Sequence, residues 1–435
     1  MMNVALVVVL VLAMGAWVML PWQAVLVLAL MMAAWLGLTR RGRQALSVAE
    51  VGISTLGQRR GSSAVIVVGI AGVVGVLVAL LSMAEGYSQT LRKTGGTDTA
   101  VVMRGASASE VMSVLTRESL AVIPQAPGIA RNAKGDAIVS DELVVAANLP
   151  VKGGAADEEG SVQLRGVGEQ AWDLRPQVKV IAGRRFGVGL RELIVGRGAA
   201  RQFVGLVPGQ EVRLGNQTWL VAGVFGSGDA LESEIWADAN VVADTYRRGS
   251  SRASVTVRLT DPQAFGGFKA ALESNPQLKV DVSTTLDYFN KQSEGVTKVL
   301  RTIGITVGAI MAIGAMFGAL NTMFAAVATR AREIATLRAI GFRGLPVVVA
   351  VMLETMILAL IGGVIGGLLA YFIFNGQGAS TMAAGSVGKL NFELRVSPEL
   401  LWTGLKWALA IGFVGGLFPA MRAASMPVTA ALREL

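Results

Sequence analysis

Thr329-Arg330-Ala331-Arg332-Glu333-Ile334-Ala335-Thr336-Leu337-Arg338-Ala339-Ile340-Gly341-Phe342 lies between two apolar runs, about 296–327 and 346–374, each long enough to cross a membrane. Arg330, Arg332, Arg338 and Arg343 stand against one acid, Glu333, so the positive-inside rule puts this connection in the cytoplasm. Gly341 suits the C′ position of a helix ending at Ile340, and Arg338 complements the dipole of its last turn. Ile334 and Leu337 lie three apart on one face and predict an apolar ridge, flanked by charge and offered to the cytoplasm. A loop that only sets topology accounts for the arginines. It does not account for a ridge and a helix stop in so short a stretch.

Composition agrees with a polytopic membrane protein. Of 435 residues, 53% are hydrophobic and only 16% charged, where soluble domains carry about 25% charge. Many of the basic residues behind the formal charge of +9 flank the apolar runs. No basic cluster is interleaved with aromatics, so nucleic acid is not an expected partner. The chain has neither Cys nor His. That excludes disulfides, thiol chemistry, Cys/His zinc sites and histidine general bases. No GxxxxGK[ST] sequence occurs: Gly388-Lys389 is followed by Leu390 and lacks the earlier glycine. If ATP drives the protein, a partner chain binds the ATP and Mg, and this chain is a non-catalytic subunit without cofactors.

Residues 4–38 are almost uncharged and break at Pro21-Trp22-Gln23 into pieces of about 17 residues, the short limit for a spanning helix. They predict an N-terminal transmembrane hairpin over 1–38 with a cytoplasmic amino terminus; a re-entrant pair fits the same pattern. A signal peptide fits poorly, because no basic n-region precedes the run. Leu46, Ala49, Ile53 and Leu56 recur at helical spacing and predict a cytoplasmic amphipathic helix within 39–61. A first core span over 62–84 then crosses outward.

Residues 85–290 read as an extracytoplasmic α+β domain. A helical pattern near 107–119 and a Gly- and acid-rich turn over 153–160 precede a strand-rich centre. Strand candidates are 161–167, 192–196, 210–214, 217–225 and 233–237, followed by 253–259, a helix near 262–274, and 278–283. The second core span covers 291–328, the cytoplasmic coupling segment 329–345, the third span 346–374, a short external loop 375–399, and the fourth span with the cytoplasmic carboxyl terminus 400–435. The fold class is a membrane α-helical bundle, four core helices plus the N-terminal hairpin, carrying a large external α+β domain.

Three passages resemble the MacB/FtsX type of ABC transporter permease, also called the mechanotransmission or type VII class. The first is Asn321-Thr322-Met323 followed by Thr329 to Gly341; the second is Glu354 with Gly362, Gly363, Gly366 and Gly367. The third is Gly416-Leu417-Phe418-Pro419-Ala420-Met421-Arg422-Ala423-Ala424, then Pro427-Val428 and Ala431-Leu432-Arg433. The resemblance covers roughly residues 45–435. The 1–38 hairpin departs from it, and so does the absence of the ATPase domain that precedes the amphipathic helix in MacB itself.

The resemblance implies a permease in the bacterial cytoplasmic (inner) membrane, working as a dimer with a second copy or a paralogous permease. Two copies of a separate ATPase, and a periplasmic adaptor or substrate-delivery protein, are the implied partners besides membrane lipid. It assigns ATPase coupling to Arg330, Arg332, Glu333, Ile334, Leu337, Arg338 and Gly341. Export or extraction of a substrate at the outer face is one implied function; an FtsX-like subunit that activates a periplasmic cell-wall hydrolase is the alternative. The size of the external domain favours the first. An ion-coupled secondary transporter would need inverted repeats and several intramembrane ionisable residues, and only Glu354 and Lys406 qualify.

Glu354 is costly in an apolar span unless paired or hydrated. A polar contact with Arg330 or Arg338 is the favoured reading, and a proton or substrate site is the other. Gly304, Gly308, Gly314, Gly318, Gly362 and Gly366 form small-xxx-small sets suited to close helix packing, including a dimer seam. Asp229, Glu232, Glu234 and Asp238 cluster, but their spacing matches no calcium loop. A solvated acidic face is expected there, and no metal site.

Overall fold

The computed structural model describes residues 14–54, 60–153, 158–382 and 388–426. The chain divides into two compact units: one holds Met1–Ser82, Leu300–Asn375 and Arg395–Leu435, the other Met83–Val299 and Gly376–Leu394. The seven main helices are α1 (Trp22–Leu38), α2 (Arg40–Ser54), α3 (Arg60–Thr94), α4 (Thr285–Thr329), α5 (Ala331–Ala339), α6 (Gly344–Phe374) and α7 (Pro398–Ser425). Four of them, α3, α4, α6 and α7, are long and apolar enough to cross a membrane.

In the membrane unit, α1 carries no charged residue and is mostly exposed, as a helix apolar all round is when lipid surrounds it. It ends where Thr39 becomes extended, and the Thr39 hydroxyl then caps α2 by accepting from Gly42 N at 2.9 Å. That residue sets the 94° bend between the two helices. The amphipathic helix therefore begins at Arg40, and residues 55–59 lie outside the described residues, Leu56 among them. Its buried face is Gly42, Ala45, Val48, Ala49 and Gly52; of the predicted apolar stripe, Ala49 is buried and Leu46 and Ile53 are exposed. Most of the first half of the expected hairpin, residues 4–13, also lies outside the described residues.

The packing of α3, α6 and α7 depends on the absence of side chains. A Cβ at Gly366 would lie 2.4 Å from the Ala71 carbonyl oxygen, and one at Gly362 2.8 Å from that of Val67. Gly412 of α7 is filled by Ala359 in the same way. Close backbone approach replaces the hydrophobic drive that lipid removes. Helix α4 joins through Ala312, Ala319, Met323 and Val327, and is the least buried of the four. Lys406 of α7 donates to the carbonyls of Val18 at 2.5 Å and Leu20 at 3.1 Å, and the Trp17 indole donates to the Lys406 carbonyl at 3.0 Å.

The external unit is built on a ten-stranded sheet. Its strands are β1 (Thr99–Arg104), β2 (Val139–Pro150), β3 (Glu159–Val167), β4 (Lys179–Gly183), β5 (Glu192–Gly196), β6 (Glu211–Leu214), β7 (Gln217–Gly226), β8 (Glu234–Asp238), β9 (Ser254–Arg258) and β10 (Val280–Thr284). Their order is β10-β1-β9-β2-β3-β8-β5-β7-β4, with β6 beside β7. The long β2 joins two cores: its first residues pair with β9 and its later ones with β3. The smaller core lies under β1, β9, β10 and the helix Ala264–Glu273; the larger holds the buried Trp219. Strands β5 and β8 are buried along their whole length, which explains their near-continuous apolar runs.

Three features differ from expectation. Strands β1, β2 and β4 are additional, and the helix expected near 107–119 is a 3-10 turn at Glu110–Met112 followed by a helix at Arg117–Val122. The expected external loop 375–399 contains a hairpin, β11 (Gly378–Met382) and β12 (Lys389–Glu393). Leu390 and Phe392 of that hairpin pack on Tyr87, Leu91 and Ala230 of the external unit.

Candidate functional site

Helix α5 stops as its sequence suggests. Gly341 has φ +106°, Phe342 N donates to Leu337 O at 3.1 Å, and Gly341 N donates to Arg338 O at 3.2 Å. This is the Schellman arrangement, in which a residue without Cβ takes the left-handed position. Its consequence is that Ile340 stands at the apex, 69% exposed.

The apolar ridge is not offered outward. Ile334 is 6% exposed and packs in the bundle core, and Leu337 packs with Val48 and Ala49 of α2. The ridge is used within the chain, Ile334 by the bundle core and Leu337 by α2. The surface α5 leaves open is Arg332, Glu333, Thr336, Ala339 and Ile340. Ile340, outside the predicted ridge, is the one large apolar side chain of that open surface.

Arg330 is buried at the start of α5. Its Nε donates to Glu333 and its Nη1 to Glu354, each at 3.0 Å. Arg330, not Arg338, is therefore an ion-pair partner of the intramembrane Glu354, while the Arg338 guanidinium donates to the Met426 carbonyl. Among the glycines, Gly304 and Gly308 face Leu80, Leu81 and Leu77 of α3, whereas Gly314 and Gly318 meet nothing within 4 Å. Gly362 and Gly366 are filled from within the chain.

A second concentration of charge lies inside the external unit. Arg165 of β3 is 2% exposed, and its five N–H groups make five hydrogen bonds to three carboxylates. Glu110 and Glu234 each take two of these bonds, and Glu142 takes one at 2.7 Å. Glu142 also accepts from Arg175 at 2.5 and 2.9 Å, Glu234 from Gln163 and Trp236, and Glu110 from Ser254. Burial works to raise the Glu142 carboxyl, but Arg175 and Arg165 outweigh it and hold it below the usual carboxylate range. Burial likewise opposes the charge on Arg165, and Glu110, Glu234 and Glu142 together raise it well above the ordinary arginine value.

The expected acidic face over 229–238 is not solvated. Asp229, Glu234 and Asp238 are buried and do separate work. Asp229 accepts from Leu231 N, and burial pushes its carboxyl up. Asp238 caps the helix Ala239–Thr245 through Asn240 N and Val241 N. Glu232 accepts from Arg197, Ser227 N and Gly228 N, and Glu234 belongs to the Arg165 cluster. Among the described residues, no group of three or more carboxylates is arranged to hold a metal.

A model of the MacB-like periplasmic core domain matches residues 63–275, and one of the FtsX-like permease C-terminal region matches residues 305–428. The macrolide export ATP-binding/permease protein MacB 1/2 of Paracoccus denitrificans is 27% identical over 396 residues, 85% of this chain and 55% of that protein. MacB of Bordetella avium is 26% identical over 420 residues, 91% of this chain and 61% of its own length. The uncharacterized ABC transporter permease YknZ of Bacillus subtilis is 22% identical over 307 residues, 67% of this chain and 75% of that protein. The chain thus spans 35–61% of the length of the MacB relatives it matches. Among solved structures, the periplasmic region of MacB from Actinobacillus actinomycetemcomitans covers 44% of this chain and 90% of its own at 17% identity and TM-score 0.34.

Spanning-length helices, an external α/β domain and these two matched regions define a membrane-embedded permease of an ABC transporter. Within that class the chain belongs to the MacB/FtsX type, a MacB-like periplasmic core domain being followed by an FtsX-like permease region.

Proposed function

We propose that this permease couples ATP hydrolysis by a separate ATPase subunit, present in two copies, to movement of its external domain. The result is export or extraction of a substrate at the outer face of the cytoplasmic membrane. The observation that carries the reading is α5: a short, firmly capped helix between two spanning-length helices, with Arg332, Glu333, Thr336 and Ile340 exposed. An apolar anchor inside a charged rim is the usual composition of a docking surface. Both termini and α5 lie in the cytoplasm on this reading, as the arginines flanking the spans require.

The permease pairs with a second copy or a paralogous permease, and α3 and α4 carry the stroke outward. The MacB-like periplasmic core domain supports export or extraction over hydrolase activation. The relatives named macrolide exporters give a substrate class to try first, with a periplasmic adaptor as a further partner. Copurification in mild detergent tests the reading by comparing wild type with Ile340→Asp. An ATPase that accompanies wild type and is lost from a folded mutant supports it. Wild-type dimers that carry no ATPase refute it.

A further inference from the structure

The first turns of α4 belong to the external unit, and two of its side chains reach the Arg165 cluster. Tyr288 and Gln292 are four apart and share a helix face. Gln292 Nε2 donates to the Tyr288 hydroxyl at 2.6 Å, and the same oxygen accepts from the backbone N of Glu110 at 3.2 Å. The Glu110 carboxylate is held by Arg165 through both oxygens. Arg165 in turn grips Glu142 of β2 and Glu234 of β8, so one hydroxyl connects α4 to the centre of the sheet. Tyr288, Gln292, Arg165, Glu110 and Glu234 line a small cavity of about 40 Å³ at the junction.

Where α4 begins is fixed separately. Gly96 N donates to Thr285 Oγ1 at 2.8 Å, Leu286 N to Gly96 O at 3.2 Å, and the Thr99 and Thr285 hydroxyls lie 2.5 Å apart. These bonds make a pivot, and Tyr288 lies one turn beyond it. A side chain reaches about 6 Å from a helix axis, so turning α4 by roughly 20° carries its tip about 2 Å. A hydrogen bond of 3.2 Å does not survive that displacement unless Glu110 follows. Next to Glu110 in the chain, Ser109 Oγ is buried without a hydrogen-bond partner. The Glu110 segment therefore has a polar group to satisfy in a second arrangement.

We infer that Tyr288 is the positioning residue through which α4 drives the external domain, its hydroxyl moving the Glu110 segment and, through Arg165, strands β2, β3 and β8. This rests on the transmission proposed above. The test uses the full chain with its copurified ATPase, reading hydrogen exchange over residues 105–116 with and without ATP. Tyr288→Phe removes the oxygen but keeps the ring on Val101, Met103 and Phe289. Wild type is expected to change exchange on adding ATP, and Tyr288→Phe to reduce that change at least fivefold while the ATPase still copurifies. Gln292→Leu, which frees the hydroxyl to turn, is expected to reduce it about twofold. Ser254→Ala, which touches Glu110 but not α4, is expected to respond as wild type does. A wild-type response in Tyr288→Phe overturns the inference. No ATP response in wild type instead refutes the transmission reading itself.

Discussion

Replacing Arg165 by methionine separates what the ionic centre contributes to folding from what it contributes to motion. Glu142 keeps Arg175 in this variant, but Glu110 and Glu234 lose their guanidinium and retain only the neutral donors Ser254, Gln163 and Trp236. Removing one partner of a buried ion pair costs about 3–5 kcal/mol, because the charge left behind stays desolvated. For a unit of this size each kcal/mol lowers Tm by about 2–4 °C, so the expected loss is roughly 6–20 °C.

The sign of the pH dependence follows from the same groups. In the wild type the depressed Glu142 carboxyl contributes stability above its unfolded value, and that stability is lost as pH falls through the folded value. In Arg165→Met, Glu110 and Glu234 are buried without their cation. Arg165 also helps to hold the Glu142 carboxyl low, so the variant loses part of the Glu142 contribution as well. That part of the gap is full above the ordinary carboxylate value and closes as pH falls below it, so the gap is wider at pH 7 than at pH 3. Thermal unfolding of the purified chain, followed by the fluorescence of the buried Trp219 and Trp236, reads both effects. A Tm within 2 °C of wild type at pH 7, or a gap that does not narrow at pH 3, refutes the reasoning.

The α5 surface predicts that Ile340→Asp weakens ATPase copurification at least tenfold without lowering Tm, whereas Leu337→Asp lowers Tm because it strikes the packing against α2. Gly366→Val should disrupt the bundle, since its Cβ meets the Ala71 carbonyl; Gly314→Val should leave monomer stability within about 0.5 kcal/mol, read by thermal unfolding. Glu354→Arg should impair assembly by placing a second cation against Arg330, and the double exchange with Arg330→Glu should restore at least half of the wild-type yield on size exclusion.

Much of this architecture was legible because membrane spans and central strands declare themselves locally. β5 and β8 are apolar runs, and the α5 stop is written in one glycine. Local pattern fails where two distant segments decide together. Ile334 and Leu337 form a ridge in any reading, yet only distant segments, the bundle core for Ile334 and α2, nearly 300 residues earlier, for Leu337, decide that the ridge is covered. The ionic centre is the stronger case: Glu110, Glu142, Arg165 and Glu234 come from four segments with no shared spacing. A faint signal existed in β3, where alternation puts Gln163 and Arg165 on the face opposite Val162 and Leu164, inside a strand buried on both sides. The external acids misled for the same reason, since their burial depends on partners the local sequence does not name.

The Lys406 contacts bear on how the chain is made. The carbonyls of Val18 and Leu20 precede Pro21, which has no N–H to continue a helical ladder, and the lysine that satisfies them lies 388 residues from Val18. At 5–20 residues per second, a ribosome needs roughly 20–80 s to reach that lysine after passing the valine. For that interval the early apolar segment has no α7 to bind, and its open carbonyls must be met by water, headgroups or the insertion machinery. The segment before Pro21 is thus made long before the helix that gives it its final neighbours.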